Sequence, residues 1–433
     1  MVTVAENEKL CRIEGEAPMG KMLREYWVPA CRSEELEAGG APKRVKLFGK
    51  EFVAFRGENG KAALMDERCP HRKASMALAR NEDNCLRCIF HGWKFDMDGN
   101  CVDVPNERSE RAGFRDNIKY NSYPTRETGR ALWVYVGEQE TPPAFPNFMF
   151  NDVPETHMVN FYGPLNCNWV QGVEPALDNS HATILHTDTN KMYMKGHLKN
   201  AQLDRAPLYD VETHPFGIRA AAQRRIPGGG SYVRVIEYIL PFYFFVPSEP
   251  QGDKLALVIV PVDDETSMQW FFMFNPDQPM SYDEPERQPF DTRSWILGPN
   301  HQKLNRNNFR EGRTPENVWG QNRENMTGEE GSFAGLYPIA IEDLAIQESQ
   351  GAIADRSTEF LGIADRAVVQ LRLSLLKALK KFEETGTLQG DGLDPGYEGI
   401  VGHSYLLKSD DEDWRDYFKP GSGGGESVPE AAE

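Results

Sequence analysis

The sequence has no apolar run long enough to cross a membrane. Its longest apolar stretch, from Tyr238 to Pro247, is interrupted by Pro241, whereas a membrane-spanning helix needs about 20 apolar residues. The first 30 residues carry five glutamates and no apolar segment of the kind found in secretory leaders. These absences predict a soluble protein of the cytoplasm.

Positive charge is also scarce. The 433 residues include 48 Lys and Arg against 66 Asp and Glu, which gives a net charge of −18. A protein that binds nucleic acid would present a basic face, and one that docks on anionic lipid would need basic clusters. The net negative charge therefore argues against a nucleic-acid-binding protein. Glycine-rich loops of the GxGxxG or Walker type are missing as well, so the sequence predicts no binding of NADH or ATP.

Cysteine is sparse and odd in number. The chain has 7 cysteines, and in the reducing cytoplasm expected above, closely spaced cysteines are more often metal ligands than disulfide partners. Hydrophobic residues make up 39% of the chain and aromatic residues 11%. That content is enough for a sizeable core and excludes wholesale disorder.

Changes in local pattern divide the chain into two domains and two flanking segments. Short β runs separated by Gly and Asp are typical of a small β domain, and a proline-rich linker follows them. The longer C-terminal part mixes strand-like and helical patterns, which predicts an α+β domain. The predicted division is a helical segment that packs on the second domain (1–40), the β domain (41–140), the α+β domain (141–418) and a disordered tail (419–433).

The second domain shows both kinds of periodicity. Runs rich in β-branched and aromatic residues predict strands, and apolar residues at i+3 and i+4 steps predict a strongly helical region over 339–384, with Asp365 as a possible cap. The polar segment 278–330 has neither period and is predicted to be loop or short helices. The predicted strands are Tyr232–Tyr238, Leu255–Pro261 and Met268–Phe274.

Two short segments of the β domain each supply one cysteine and one histidine. Cys69 and His71 stand in Cys-Pro-His, and Cys88 and His91 stand in Cys-Ile-Phe-His. Such a set suits either a Cys2His2 zinc site or a Rieske [2Fe–2S] cluster, in which two histidines replace two cysteines on one iron. A zinc finger would take both cysteines from one loop and both histidines from a helix. One Cys and one His from each loop therefore favour the cluster.

Cys85 offers a competing interpretation of this region. Together with Cys88 it forms a Cys-x-x-Cys pair, which is typical of a zinc or redox half-site. The chain contains no second matching pair, so we interpret Cys85 as a bystander. Four unrelated buried residues are a further alternative, which the specific multi-ligand spacing disfavours.

A second candidate site lies in the α+β domain, where His181 and His186 follow Asp178. Two histidines and one carboxylate can bind Fe(II) on one face and leave the opposite positions open for O₂ and substrate. The three residues could line one side of a helix that loosens near His186. A His-x4-His pair is a weak motif by itself, with one surface and one core histidine as its plain alternative. The Cys/His cage in the same chain makes an iron site the favoured interpretation.

The carboxylate ligand of this second site must come from elsewhere. The segment 341–356 is helix-like and rich in carboxylates. On a helix, Asp343 shares a face with Ile346, Gln347 and Gln350, which is a mixed set for a core stripe, although a solvated acidic turn is the alternative. The candidates are Glu342, Asp343, Glu348 and Asp355, with Asp188 as a nearer but weaker rival.

The motifs together resemble one enzyme family. Residues 69–107 closely resemble the Rieske domain of ring-hydroxylating oxygenases, and they are most similar to the phthalate 4,5-dioxygenase branch. Asp178-x2-His181-x4-His186 is similar to the mononuclear iron motif of that family, and residues 342–349 are similar to the segment that holds its third ligand. One departure is Lys73, where such sequences often have Gly; we expect it to change little. The resemblance extends from about residue 15 to about residue 385.

The resemblance implies the fold and the cofactors. It implies an all-β Rieske domain followed by an α+β, helix-grip-like catalytic domain. It implies that Fe(II) is held by His181, His186 and Asp343. It also implies that Asp178 links an iron-ligand histidine to a cluster histidine of the neighbouring subunit. The implied ligands of the [2Fe–2S] cluster are Cys69, His71, Cys88 and His91.

The resemblance also implies the partners. The chain would form a homotrimer or a stack of two trimers, because cluster and iron within one subunit are too far apart in that family. Electrons would come from NADH through a separate reductase that carries flavin and a plant-type [2Fe–2S] centre. This expectation agrees with the absence of a nucleotide-binding loop from the chain.

Several functions remain open on this scaffold. The favoured hypothesis is cis-dihydroxylation of a phthalate-like aromatic acid, and the alternative is O-demethylation of a methoxylated aromatic acid. A Rieske ferredoxin is disfavoured by the large second domain, and a zinc-binding interaction protein would lack acid-labile sulfide. An acidic substrate would need arginine anchors, and aromatic residues 238–245 could wall a pocket or belong to the core. The candidate anchors are Arg219, Arg224, Arg225 and Arg234.

Overall fold

The computed structural model describes most of the chain. The described residues are 2–108, 113–188, 200, 204–248, 252–284, 295–297, 303–327, 331–390 and 397–418. The tail predicted at 419–433 lies outside them. Their α-helices include α1 (Val4–Cys11), α2 (Pro18–Arg24), α3 (Trp169–Leu177), α4 (His181–Ile184), α5 (Ile339–Ser349) and α6 (Arg366–Thr385). None of the described helices has the length and apolar character needed to cross a membrane.

The chain divides into two compact units. The N-terminal unit comprises Arg12–Pro146 and Val260–Asp264, and the C-terminal unit comprises the rest. Residues 12–40 thus group with the β-rich unit, whereas Met1–Cys11 group with the second unit. The first unit ends six residues beyond the boundary expected at 140, within the proline-rich linker.

The N-terminal unit is built from three small antiparallel sheets, ordered β1-β11-β10, β2-β3-β4-β9 and β5-β6-β7-β8. The short β runs that the sequence predicts for this domain include the apolar stretches 45–47, 52–55 and 63–65, which fall in three consecutive strands of the second sheet. The strands are β1 (Val28–Arg32), β2 (Lys43–Leu47), β3 (Lys50–Arg56), β4 (Ala62–Asp66), β5 (Arg80–Glu82), β6 (Cys85–Arg87), β7 (Lys94–Phe95), β8 (Cys101–Asp103), β9 (Ser122–Tyr123), β10 (Thr125–Thr128) and β11 (Ala131–Val134).

The core of this unit encloses the two candidate cluster cysteines. Cys69 and Cys88 pack in one buried cluster with residues of the strands, among them Phe55, Leu86 and Phe95. Burial of such side chains stabilises the unit by about 25 cal/mol for each Å² of apolar surface removed from water. The loops that carry the cysteines are therefore fixed by the hydrophobic core itself.

The C-terminal unit contains an eight-stranded sheet, ordered β12-β18-β17-β16-β15-β14-β13, with β19 paired to β15. All three strands predicted in this part of the chain are present. The strands are β12 (Met158–Leu165), β13 (Leu208–His214), β14 (Gly217–Arg225), β15 (Ser231–Ile239), β16 (Tyr243–Val246), β17 (Lys254–Pro261), β18 (Ser267–Phe274) and β19 (His403–Leu407).

Side chains alternate between the two faces of β15, as in any strand. Val233 and Val235 pack with Trp414 in a buried cluster on one face. Arg234 and Ile236, from the other face, line the cavity described below. This strand therefore contributes to the core on one side and to the functional site on the other.

The helical region predicted over 339–384 is two helices rather than one. A break separates α5 from α6, and Gly351 within it has a φ of +89°, a conformation that favours glycine. Asp365 occupies the N-cap position of α6, but its carboxylate accepts a hydrogen bond from the Gly362 backbone N–H at 2.6 Å instead of capping the helix. The short 3₁₀ helices Pro315–Gly320 and Glu324–Met326 lie in the predicted loop region.

Candidate metal centres and catalytic pocket

The two Cys/His loops of the N-terminal unit share a backbone arrangement. The Cys69 carbonyl accepts a hydrogen bond from the Lys73 N–H, and the Cys88 carbonyl accepts one from the Gly92 N–H, both at 2.9 Å. Lys73 and Gly92 have φ values of +62° and +79°. Glycine adopts this left-handed conformation freely, whereas a lysine loses on the order of 1 kcal/mol there. The position of Lys73 is thus one that glycine would occupy without strain.

The side chains of these loops form a cysteine pair and a histidine pair. Cys69 and Cys88 are buried. Burial raises the pKa of the Cys69 thiol to about 11, although a backbone hydrogen bond at His71 acts to lower it. The rings of His71 and His91 lie 4.5 Å apart, and His71 also stacks on Trp93 at 4.2 Å.

This arrangement fits a dinuclear cluster better than a single ion. Among the described residues, three ligand atoms lie within 4.8 Å of one another only at His181, His186 and Asp343. The ligand atoms of the two cysteines and two histidines in these loops are not gathered around one point in this way. A zinc ion would need all four donors around one point, whereas a [2Fe–2S] cluster separates the thiolates from the imidazoles. His91 Nδ1 is also buried and has no hydrogen-bond partner within the described part of the chain, as expected of a metal-binding nitrogen.

The second site is formed where α3 ends and α4 begins. Asp178 is the C-cap residue of α3, His181 is the first residue of α4, and His186 lies in the turn after α4. The predicted helix that loosens near His186 is therefore a single short helical turn. Buried ion pairs anchor α3, since Glu174 accepts hydrogen bonds from both Arg356 and Arg372.

Helix α5 brings the carboxylate of Asp343 to the two histidines. Asp343 Oδ1 lies 3.2 Å from His186 Nε2 and 3.6 Å from His181 Nε2. Among the described residues, none donates a hydrogen bond to this buried oxygen, which otherwise carries a substantial desolvation penalty. Burial opposes ionisation of Asp343, but the adjacent histidines hold its pKa below the usual value. Two imidazole nitrogens and one carboxylate oxygen are a donor set that suits Fe(II).

Asp178 lies behind His181, on the side away from the three ligand atoms. Its Oδ2 is 3.3 Å from His181 Nδ1, and its Oδ1 accepts hydrogen bonds from the backbone N–H and the hydroxyl of Ser180. Burial opposes the ionised form, yet these bonds and the charge of His181 lower the pKa of Asp178 to about 2. A carboxylate in this place orients the imidazole ring.

The other carboxylates considered as third ligands have different partners. Glu348 accepts hydrogen bonds from the Asn166 backbone and the Trp319 indole at 2.7 Å each. Asp188 accepts them from Ser332 and Phe333, and Asp355 is exposed. Glu342 lies 2.5 Å from His186 Nδ1 and therefore contacts the back of that ring.

A cavity with an empty volume of about 920 Å³ opens onto the histidine–carboxylate site. Its walls are largely apolar, which suits the flat face of an aromatic ring. The apolar lining residues include Ile236, Val246, Leu255, Leu257, Met273, Trp295 and Ile339, and the polar ones include Asn179, Arg234, Ser248, Asp253, Lys254 and Gln269.

Arg234 is the candidate anchor that reaches this cavity. It is buried, and its Nε donates to Asn179 Oδ1 at 3.1 Å. Among the described residues, no carboxylate forms an ion pair with it. Arg219 instead pairs with Glu237, Arg224 donates to the Asn179 carbonyl, and Arg225 is exposed. The sequence analysis did not identify Lys254 as a cavity residue. The feature that could have indicated it is a charged residue at the start of a strand that is otherwise apolar.

The aromatic run belongs to the core. Tyr238, Phe242, Phe244 and Phe245 are each no more than 2% exposed, and none of them lines the cavity. A second cavity of about 520 Å³ reaches Asp178, His181 and Asp343 as well and is lined by Ile346 and other residues. The site can therefore be approached through two cavities.

Comparison with known proteins decides the family. Residues 26–124 match the Rieske [2Fe-2S] domain family, and residues 134–420 match the family described as LigXa C-terminal domain like. The chain is 34% identical over 435 residues to the phthalate 4,5-dioxygenase oxygenase subunit of Pseudomonas putida, which covers 96% of this chain and 95% of the relative. The chain belongs to the Rieske non-haem iron oxygenases.

The relatives of this Rieske oxygenase include enzymes that catalyse different reactions. It is 28% identical over 404 residues to the 5,5'-dehydrodivanillate O-demethylase oxygenase subunit of Sphingobium sp., covering 88% of this chain and 81% of the relative. The crystal structure of dicamba monooxygenase bound to 3,6-dichlorosalicylic acid has the same fold, with a TM-score of 0.55 and 19% identity over 84% of this chain and 99% of that chain.

The membership confirms several predictions from the sequence. This Rieske oxygenase is an oxidoreductase of the phthalate 4,5-dioxygenase-like branch, with an all-β Rieske domain followed by an α+β catalytic domain. Its cofactors are a Rieske [2Fe–2S] cluster and a mononuclear iron. As the oxygenase subunit of a multicomponent system, it uses O₂ and takes electrons from a separate protein.

Proposed function

We propose that this Rieske oxygenase cis-dihydroxylates a phthalate-like aromatic carboxylic acid. The observation that carries the proposal is a buried arginine, Arg234, in the same largely apolar cavity as His181, His186 and Asp343. An apolar wall suits the ring of the substrate, and a guanidinium without a carboxylate partner among the described residues suits its acid group. In the reaction, both atoms of O₂ join adjacent ring carbons while two electrons and two protons are taken up.

The residues of the two metal centres have separate tasks in this proposal. Cys69, His71, Cys88 and His91 hold the cluster, and His181, His186 and Asp343 hold the ferrous iron. When bound, the cluster supplies single electrons and the ferrous iron activates O₂. The apolar walls exclude water from the cavity, and Arg234 and Lys254 provide positive charge that orients an anionic substrate.

Asp178 is proposed to couple the two centres across a subunit boundary. It contacts His181 Nδ1 and lines both cavities, including the second one. In a homotrimer or a stack of two trimers, its carboxylate would accept a hydrogen bond from a cluster histidine of the neighbouring subunit. Two apolar side chains within the second cluster loop, Ile89 and Phe90, are 60% and 52% exposed, which suits burial in such an interface.

The electron donor is proposed to be a separate NADH-dependent reductase that carries flavin and a plant-type [2Fe–2S] centre. The absence of a GxGxxG or Walker loop from the sequence supports an external site for NADH.

Replacing Arg234 tests the substrate class. Removing one charge-assisted hydrogen bond costs about 1.5–3 kcal/mol, so Arg234→Met is expected to weaken phthalate and benzoate binding by about 10–100-fold. Arg234→Lys should retain part of the affinity. The dissociation constants would be measured by calorimetry, with the neutral carboxamides of the same acids as comparison ligands.

The matched control is Arg225→Met, because Arg225 is exposed and one position from buried Arg224 on β14. It should leave both acid and amide binding unchanged. An Arg234→Met variant that still prefers acids over amides as strongly as the wild type would contradict an arginine anchor.

O-demethylation of a methoxylated aromatic acid is the second candidate. The similarity to an O-demethylase oxygenase subunit favours it, and the same cavity and triad would serve it. The two reactions differ in product, since demethylation releases the methyl group as formaldehyde.

A further inference from the structure

Each histidine of the mononuclear site has a carboxylate behind its ring. Asp178 lies 3.3 Å from His181 Nδ1, and Glu342 lies 2.5 Å from His186 Nδ1. The two carboxylates differ in their surroundings, because Asp178 lines both cavities whereas Glu342 lines neither and is 0% exposed. The contact of Glu342 with His186 is therefore enclosed by protein.

Glu342 and Asp343 are adjacent residues of α5, and each lies beside a different nitrogen of the His186 ring. Asp343 Oδ1 is 3.2 Å from His186 Nε2, while Glu342 Oε2 is close to Nδ1. A carboxylate accepts a hydrogen bond from a protonated ring nitrogen, and in a neutral imidazole the other nitrogen then keeps its lone pair. A neutral His186 with its proton on Nδ1, toward Glu342, would have its Nε2 lone pair on the side of Asp343, as a metal ligand requires.

A buried carboxylate without such a task would be costly. Removing an ionised carboxyl from water carries a penalty of several kcal/mol that only close partners offset. Glu348, on the same helix, has an ion-pair partner in Arg310. Glu342 makes such a close contact with His186.

We propose that Glu342 is a positioning residue that holds His186 in its iron-binding tautomer and orientation. The proposal rests on the assignment of His181, His186 and Asp343 as iron ligands. Two adjacent residues of α5 then have different tasks: Asp343 binds the iron, and Glu342 holds the iron ligand His186 in place. Partners of this kind typically change metal affinity by about 10–100-fold when they are removed.

The test compares Glu342→Leu and Glu342→Gln in the full-length protein. Glu342→Leu removes the acceptor, so the affinity of the mononuclear site for Fe(II) should fall by about 10–100-fold. Glu342→Gln keeps an acceptor oxygen but removes the charge, so it should retain more iron than Glu342→Leu and still change the electronic environment of the site. Affinity would be measured by competition with a chelator, and the environment by EPR with nitric oxide as a probe of the ferrous site.

Glu348→Gln is the matched control. It also alters a buried carboxylate of α5, but its partners are Asn166, Arg310 and Trp319 rather than a histidine. It should lower thermal stability without changing the Fe(II) affinity or the EPR spectrum. If Glu342→Leu does not fold, the EPR spectrum of Glu342→Gln decides the matter.

A Glu342→Gln spectrum that superimposes on the wild type, or a folded Glu342→Leu with wild-type iron affinity, would overturn the proposal. His186→Ala separates this failure from failure of the site itself. If His186→Ala also keeps wild-type iron affinity, the ligand assignment is wrong. If His186→Ala loses iron and the Glu342 variants match the wild type, only the task of Glu342 is wrong.

Discussion

Asp343→Ala is expected to remove the mononuclear iron and leave the Rieske cluster in place. Asp343 supplies the carboxylate oxygen that lies 3.2 Å and 3.6 Å from the two imidazole nitrogens, and two histidines alone are a weak site for Fe(II). Iron should fall from three per chain, two in the cluster and one mononuclear, to two, with the visible spectrum of the cluster unchanged. Product formation should fall to background.

Asp355→Ala is the control for this prediction. Asp355 was another candidate ligand in the same stretch of sequence, but it is exposed and accepts a hydrogen bond from the Ser357 backbone. It should retain full iron and activity. Three irons per chain in folded Asp343→Ala would show that the carboxylate ligand lies elsewhere.

Asp178→Asn is expected to separate metal content from electron transfer. Both centres should remain, because Asp178 is not among the three gathered ligand atoms. Loss of its charge weakens the contact with His181 and the proposed contact with the neighbouring cluster histidine. Chemically reduced protein mixed with O₂ and substrate should therefore reoxidise its cluster about 10–100-fold more slowly than the wild type, as followed by stopped-flow absorbance.

Asp188→Asn provides the comparison for Asp178→Asn. Asp188 is a buried carboxylate two residues after His186 in the chain, but its partners are Ser332 and Phe333. It should reoxidise at the wild-type rate. If Asp178→Asn with full iron content also reoxidises at that rate, Asp178 has no part in coupling the centres.

The cluster loops could be predicted from the sequence because their donors are close in the chain. Cys69 and His71 are two residues apart, and Cys88 and His91 are three apart, so local spacing nearly defines each loop. The structure added that Lys73 occupies a left-handed position equivalent to that of Gly92. The spacing of the ligands along the chain does not predict the backbone angles of the single residues between or after them.

The proposed third iron ligand is harder to predict because it is distant in the chain from the two histidines. Asp343 follows His186 by more than 150 residues, and four carboxylates of one acidic segment were candidates. Resemblance to the family favoured Asp343, and the structure places it beside both histidines. Helical spacing could not show that neighbouring Glu342 contacts the opposite nitrogen of His186.

Two further features depended on tertiary context. The sequence predicts one helical region over 339–384, with the apolar period at 368–382, and it does not predict the break near Gly351 between α5 and α6. The choice of Arg234 among four arginines depended on which face of β15 borders the cavity. Alternation groups Arg234 with Ile236, yet only the packing of Val233 and Val235 against Trp414 identifies the other face as core.

The central claim is that this chain oxygenates an aromatic acid at the site of His181, His186 and Asp343. Its most direct test is a single turnover of the chemically reduced protein with ¹⁸O₂ and a panel of phthalates, benzoates and methoxylated benzoates, with products analysed by mass spectrometry. The expected product is a dihydrodiol that carries both labelled oxygen atoms. Formaldehyde with a demethylated product would contradict dihydroxylation and favour the second candidate. Reoxidation of the cluster with no labelled organic product from any member of the panel would contradict the central claim.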